Sequence, residues 1–125
     1  MVRKPAPVTQ TELAILEVLW NKQPRTVREI VDELYPRQTR ALYATVKSLL
    51  ERLEVKGYVA CDKSSFAHQF SARLSRTQYV GHQLETLAEC HFGGSVAPML
   101  LTLVESTKLS RKDRDAIIKI IEGLE

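Results

Sequence analysis

Apolar residues in the first part of the chain recur at helical spacing, and each run follows a polar capping sequence. Thr9–Glu12 can form a capping box, in which the Thr hydroxyl accepts from a backbone amide and the Glu carboxylate accepts from the amide of the cap residue. Thr26–Glu29 has the same pattern. The runs predict one helix that ends near Asn21 and a second that ends at Pro36, because proline lacks an amide donor and clashes with the preceding turn.

The next run predicts a third helix that begins between Thr39 and Leu42. Gly57 is placed to end this helix in a left-handed turn. The apolar residues of the helix lie at i, i+4, i+7, i+8 and i+11 and form one stripe that should face a core: Leu42, Val46, Leu49, Leu50 and Leu53.

The periodicity changes after Gly57, and two short strands are predicted. They are Tyr58–Cys61 and Phe66–Phe70, with the polar residues Asp62–Ser65 as the turn between them. Cys61 should face inward with Val59, since residues two apart share one side of a strand. Three helices followed by a hairpin is the order of a winged helix-turn-helix domain.

The rest of the chain is predicted to be helical. Ser75–Gln78 is a third capping box, Gly93 and Gly94 end that helix, and Ser95 and Ser110 can cap two more. The apolar positions of the last two helices are Met99, Leu100, Leu103, Val104, Ile117, Ile120, Ile121 and Leu124. The predicted fold is therefore mainly α with a small β-hairpin wing. We predict a winged helix-turn-helix domain over residues 1–74 and a C-terminal helical domain over residues 75–125.

Charge is distributed unevenly between these two parts. The chain has 44% hydrophobic and 26% charged residues and a net charge of +3, which is ordinary for a globular protein. Residues 1–76 contain 13 Lys and Arg against 8 Asp and Glu, whereas residues 77–125 contain 5 against 7. Only the first part is therefore expected to meet a polyanion, although random variation of surface charge would also explain the difference.

The third helix is the candidate recognition helix, because in a helix-turn-helix the second helix of the motif lies in the major groove. Thr45 could bond a phosphate or contact a thymine methyl group, and Lys47 could reach a guanine edge or a phosphate. Ala44 would allow a close approach. The residues predicted to face outward are Tyr43, Ala44, Thr45, Lys47, Ser48 and Arg52.

Four further cations are candidates for the DNA backbone. Arg28 begins the second helix, Arg37 and Arg40 are expected just ahead of the third, and Lys63 lies in the predicted wing turn. The alternative is a solvated polar helix face and an ordinary turn, since three-helix domains with a hairpin also serve as protein-interaction modules.

The chain also resembles the penicillinase-repressor family of winged-helix regulators (the BlaI/MecI and CopY type). The resemblance rests on an ordered set of segments over about residues 8–124. These are Thr9–Trp20, Tyr43-Ala44-Thr45-Val46, Leu49-Leu50, Arg52-Leu53, Lys56-Gly57-Tyr58-Val59, Phe92-Gly93-Gly94-Ser95 and Leu109-Ser110.

The resemblance implies a homodimeric repressor that binds double-stranded operator DNA with palindromic symmetry, dimerised by its C-terminal helices. A monomer with these helices packed on its own winged domain is the alternative. In one branch of the family a membrane sensor-protease triggers cleavage in the C-terminal domain, and the equivalent stretch here is near Leu101–Val104. Two departures stand out: Ser65-Phe66 occupies the place of the wing Gly-Arg of many members, and the terminal cysteine-rich copper motif is missing.

Other chemistry has little support in the sequence. There is no phosphate-binding loop and no catalytic triad motif, so neither an enzyme nor a cofactor is predicted. A thiol- or metal-responsive regulator that uses Cys61, Cys90 or His91 is a further alternative, although Cys90 is expected to be a small core residue. No apolar run reaches the length of a membrane helix, and Met1–Val8 lacks the apolar core of a signal peptide, so a cytoplasmic protein is expected.

Overall fold

The computed structural model describes residues 6–37, 40–106 and 108–123. Contacts divide the chain into two compact units, Met1–His82 and Gln83–Glu125. The first unit contains three helices, a hairpin and the first turns of a fourth helix, and the second contains the remaining helical residues.

The first three helices form where the capping sequences predict them. They are α1 (Gln10–Asn21), α2 (Val27–Leu34) and α3 (Arg40–Lys56). Both predicted capping boxes are confirmed: the Thr9 and Thr26 hydroxyls each accept from the amide three residues on, at 3.2 Å in both helices. The carboxylates of the two boxes accept in return from the cap amides, so the helix starts are satisfied locally.

The hairpin is shifted along the chain from its predicted position. Its strands are β1 (Val59–Asp62) and β2 (Gln69–Ala72), paired antiparallel with Cys61 opposite Phe70. The predicted bounds of the second strand, residues 66–70, were wrong by up to three residues. The loop that connects the two strands spans residues 63–68. The ladder continues on the far side of β2, where Arg25 and Phe70 exchange backbone hydrogen bonds of 2.9 and 2.7 Å.

The core of the first unit lies among α1, α2, α3 and the hairpin. Four of the five α3 residues predicted for it are buried, namely Val46, Leu49, Leu50 and Leu53. Leu42, the first residue of the predicted stripe, is only half-buried, since it lies in the first turn of α3.

The start of the fourth helix, α4 (Arg76–Phe92), is held in the first unit by aromatic contacts. Trp20 donates its indole N–H to the Leu74 carbonyl at 2.9 Å, and its ring lies 5.6 Å from that of Tyr79. Tyr79 is buried and also meets the Tyr58 ring edge-on at 6.1 Å. The Ser75 capping box is confirmed, with Gln78 as its partner.

The second unit continues α4 and adds α5 (Val96–Ser106) and α6 (Arg111–Gly123). Gly93 and Gly94 adopt φ of +60° and +84° and end α4 as predicted. Among the described residues of α5 and α6 none is buried. Of the apolar residues expected on these helices, Leu124 lies outside the described residues.

Candidate nucleic-acid interface

α2 and α3 form a helix-turn-helix, with Pro36 and Arg37 in the connection. α3 has 17 residues and is therefore about 25 Å long, enough to lie along a major groove. One side of α3 is buried against α1 and α2, and the opposite side is free to meet a ligand. The outward side carries all of the residues predicted to read DNA, each of them exposed: Tyr43, Ala44, Thr45, Lys47, Ser48 and Arg52.

The outward side of α3 changes in charge along the helix. From Arg40 to Leu50 it contains no acidic residue, whereas Glu51 and Glu54 follow in the second half. In a recognition helix, the N-terminal residues are the ones that contact base edges. The charge pattern therefore makes the N-terminal half of α3 the part suited to a polyanion.

Thr45 has a local hydrogen bond that limits what its hydroxyl can do. The hydroxyl donates to the Ala41 carbonyl at 2.8 Å, one helical turn earlier. With its only proton engaged, the oxygen can accept from a base amino group but cannot donate to a phosphate. Of the two predicted roles of Thr45, the geometry favours contact with a base over contact with a phosphate.

The predicted backbone cations are found at four separate points of the first unit. Arg28 is the second residue of α2, Arg37 lies in the turn, and Lys63 opens the wing loop; all three are exposed. Arg40 was expected ahead of α3 but is its first residue, because the helix begins at the early limit of the predicted range. It remains exposed at the end of the helix that would face DNA.

A cleft of about 700 Å³ brings three of these elements together. One wall is the outward side of α3 with Tyr43 and Lys47, and the other is the wing loop with Lys63 and Phe66. Arg28 at the start of α2 closes one side. The cleft also contains Glu51 and Glu54, so its cationic part is at the N-terminal half of α3.

A buried ion pair fixes the C-terminal end of α3. Glu12 is completely buried, and its carboxylate accepts from the Lys56 ammonium at 2.8 and 3.1 Å. Lys56 also donates to the Pro7 carbonyl at 2.9 Å, and the Tyr58 hydroxyl donates to the Ala6 carbonyl. Burial would raise the pKa of Glu12, but the bonds from Lys56 and Thr9 outweigh it and lower that pKa below its ordinary value.

The two cysteines have different surroundings. Cys61 is half-buried beside the cleft, and burial together with the nearby Glu54 carboxylate raises the pKa of its thiol, so little thiolate is present near neutral pH. Cys90 is exposed on α4, so its predicted place in the core was wrong. In the part of the chain described, no three His, Cys, Asp or Glu side chains lie close enough to hold a metal.

Two features of the site did not follow from the sequence reasoning. The Glu12–Lys56 pair joins residues 44 positions apart, and Glu12 was assigned only to a capping box. Phe66 was assigned to a strand but is fully exposed in the loop. Ser64 and Ser65 were already part of the predicted turn, and Phe66 is as apolar as Phe70, so no local signal marked Phe66 as a loop residue.

Within residues 6–37, 40–106 and 108–123, no single helix is long and apolar enough to cross a bilayer. Together, α4 and α5 reach the required length and composition as a bent pair.

The fold and this surface define a winged helix-turn-helix DNA-binding protein. The sequence matches the penicillinase repressor family over residues 8–123, and the chain belongs to that family of transcriptional repressors. It is similar to the transcriptional regulator BlaI of Mycobacterium tuberculosis (strain ATCC 25618 / H37Rv), with 30% identity over 91% of this chain and 82% of the relative. The penicillinase repressor of Bacillus licheniformis is 21% identical, over 97% and 94% of the two chains. That of Staphylococcus aureus is 19% identical, over 99% and 98%.

Proposed function

We propose that this repressor acts as a cytoplasmic homodimer on a palindromic operator, with α3 of each copy in a major groove. The observation that carries the proposal is the N-terminal half of α3, where small, hydroxylated and cationic side chains face outward without an acidic residue. Lys47 would reach a guanine or a phosphate, and Ala44 would allow the helix to sit close to the bases.

The remaining contacts would orient the domain on the duplex. Arg28, Arg37, Arg40 and Lys63 would bind phosphates, as would the Tyr43 hydroxyl. Arg52 is twelve residues after the start of α3, about 18 Å along its axis, so a phosphate suits it better than a base edge. Contacts of this kind supply affinity and register, whereas the first turns of α3 supply sequence preference.

Dimerisation through the second unit is supported by its exposed apolar side chains. Large aliphatic residues on both α5 and α6 are exposed, for example Leu103 at 48% and Ile120 at 65%. Monomeric proteins seldom leave so many large aliphatic side chains exposed to water, and a second copy of the same helices would cover them with two-fold symmetry. The residues assigned to this interface are Met99, Leu100, Leu103, Val104, Ile117, Ile120, Ile121 and Leu124.

We also propose that the repressor is released from its operator by loss of its dimer interface. A membrane sensor-protease that cuts α5 near Leu101–Val104 would separate the winged domain from α6 and from part of the dimer interface. A cut there would lower operator affinity without damage to α3. An antirepressor that competes for the same apolar surface would have the same effect, but it would leave the chain intact.

The DNA claim is tested by an anisotropy titration against the intergenic DNA upstream of the gene and against random duplex, both at about 150 mM salt. Specific sites usually bind at least about 10³-fold more tightly than random DNA. A ratio near one would refute the operator claim.

The dimer claim is tested separately by sedimentation equilibrium. Ile120→Asp with Leu103→Asp should yield a monomer with an intact winged domain and much weaker operator binding. A wild-type protein that is monomeric at micromolar concentration would refute the homodimer.

A further inference from the structure

Phe66 is a large aromatic residue with no packing partner in the described structure. Its side chain is fully exposed, at 105% of the reference accessibility, although the chain has few aromatic residues. It lies near the tip of the wing loop. Its neighbours are held by local bonds, since the Ser64 amide donates to Asp62 at 2.9 Å and the Ser65 hydroxyl donates to the Ala67 carbonyl at 3.0 Å. The loop thus presents the ring to solvent instead of folding over it.

We propose that Phe66 is an apolar wedge that enters the minor groove beside each half-site and partly unstacks one base step. The inference rests on the proposed function, because it requires α3 to lie in the neighbouring major groove. Phe is among the residues that architectural proteins insert between bases, with a kink in the duplex as the result.

The position of Phe66 relative to α3 supports this assignment. Phe66 and Lys63 line one wall of the cleft, and Tyr43 and Lys47 line the other. A strand of phosphates separates a major groove from the adjacent minor groove. With α3 in the major groove, that strand would cross the cationic end of the cleft, and the wing loop would reach the minor groove beyond it.

The chemistry around Phe66 favours nucleic acid over a protein surface. The other residues of the loop are small or polar, and the cleft beside it contains the cations Lys47, Lys63 and Arg28 as well as Glu51 and Glu54. A protein-docking surface needs a continuous apolar patch, whereas the other aromatic rings of the cleft lie on α3 (Tyr43) or are buried in β2 (Phe70). A duplex offers both requirements at once, with phosphates for the cations and stacked bases for the ring.

The contribution of Phe66 to DNA affinity should depend on salt concentration differently from that of the cations. Each phosphate contact adds about 0.9 to the slope of log affinity against log salt, whereas an apolar insertion adds nothing. Phe66→Ala should therefore weaken operator binding roughly tenfold with an unchanged slope. Phe66→Arg should recover affinity at low salt and should steepen the slope by about one per protomer.

The experiment uses the full-length protein on the upstream duplex that it protects. Permanganate, which oxidises unstacked thymines, is applied at saturating protein, and the bend is measured by gel mobility of circularly permuted fragments. We expect the wild type and Phe66→Leu to give reactive thymines beside each half-site and a bend. Phe66→Ala and Phe66→Arg should lose both. Lys47→Ala, a recognition-helix variant, should weaken binding but keep the permanganate pattern once saturated.

The outcomes separate this inference from the proposed function. If wild type binds its operator and Phe66→Ala leaves affinity, bend and thymine reactivity unchanged, the wedge is refuted while the repressor proposal stands. If wild type shows no specific binding, both are refuted. A change in sedimentation on Phe66→Ala, without any change in thymine reactivity, would instead assign the ring to a contact between copies. Thermal unfolding should be unchanged in every Phe66 variant, because the ring packs on nothing.

Discussion

The carboxylate of Glu12 at the start of α1 lies 2.8 Å from the ammonium of Lys56 at the end of α3, and Glu12 is completely buried. The same carboxylate accepts from the Thr9 amide at 2.9 Å. The first helix is therefore capped and joined to the recognition helix by one side chain. This pair fixes the C-terminal end of α3, while the burial of Val46 and Leu49 in the core holds the rest of the helix with its other side outward.

Removal of the charge on Glu12 should destabilise the first unit. In Glu12→Gln the Lys56 ammonium loses its charged partner, and we expect a loss of about 1–3 kcal/mol in the free energy of unfolding. Lys56→Met should be worse, at about 3–5 kcal/mol, because it leaves a buried carboxylate without its cationic partner, with only the local bonds to Thr9. Urea denaturation checks both. Glu17→Gln is the control, since the Glu17–Arg76 pair is about half exposed and should contribute less than about 1 kcal/mol.

Stability should decline in acid, and Glu12 should account for part of that decline. The pKa of Glu12 is lowered in the folded protein, as is that of Glu29, whose carboxylate accepts from the Thr26 amide. Such groups stabilise the fold above their unfolded pKa near 4.5, and the contribution is lost as the pH falls through the folded values. The urea concentration at the midpoint of unfolding, measured from pH 7 to pH 3, should therefore decrease once the pH is below about 4.5. A Glu12→Gln profile as steep as that of the wild type would contradict this assignment.

Tyr79 should contribute to the stability of the winged domain, although it lies in α4. Its ring is buried against Trp20 and Tyr58. Tyr79→Ala should lower the free energy of unfolding by about 3–5 kcal/mol, in the range of other buried aromatic truncations. The fluorescence of Trp20, the one tryptophan of the chain, reports the transition. Tyr43→Ala is the matched control, since Tyr43 is 43% exposed and its loss should affect DNA binding more than folding.

Two glycines should respond in opposite directions to alanine. Gly57 ends α3 at φ +89°, a conformation that strains any residue with a Cβ, so Gly57→Ala should destabilise by about 1 kcal/mol or more. Gly81 lies within α4, where an added Cβ meets nothing within 4 Å. Gly81→Ala should be neutral or stabilising by up to about 1 kcal/mol. Equal effects at the two positions, measured by thermal unfolding, would contradict the left-handed assignment of Gly57.

Lys47 should contribute to operator affinity beyond its effect on net charge. Lys47→Ala should weaken specific binding by about 1–3 kcal/mol if the ammonium reads a guanine. Lys112→Ala removes the same charge from α6 and should change affinity far less. Anisotropy titrations at two salt concentrations distinguish the two variants. Equal losses in both would show that only the overall charge matters.

The helical part of the fold could be predicted from the sequence because its signals are local. The boxes at Thr9, Thr26 and Ser75 each join residues three apart, and the glycine at position 57 acts within one turn. The side of α3 that faces the core also followed from periodicity, apart from the half-buried Leu42. The residues of α3 that lie outside this apolar stripe could then be predicted to face outward.

Only the tertiary structure decided the register of the hairpin and the partners of distant residues. Phe66 and Phe70 are equally apolar, but Phe70 pairs with Cys61 and with Arg25, so it is the one that is buried. The bridge to Arg25 joins residues 45 positions apart, and local patterns carry no information about such a contact. The same applies to Glu12 and Lys56, since burial of a charge depends on what the fold brings beside it.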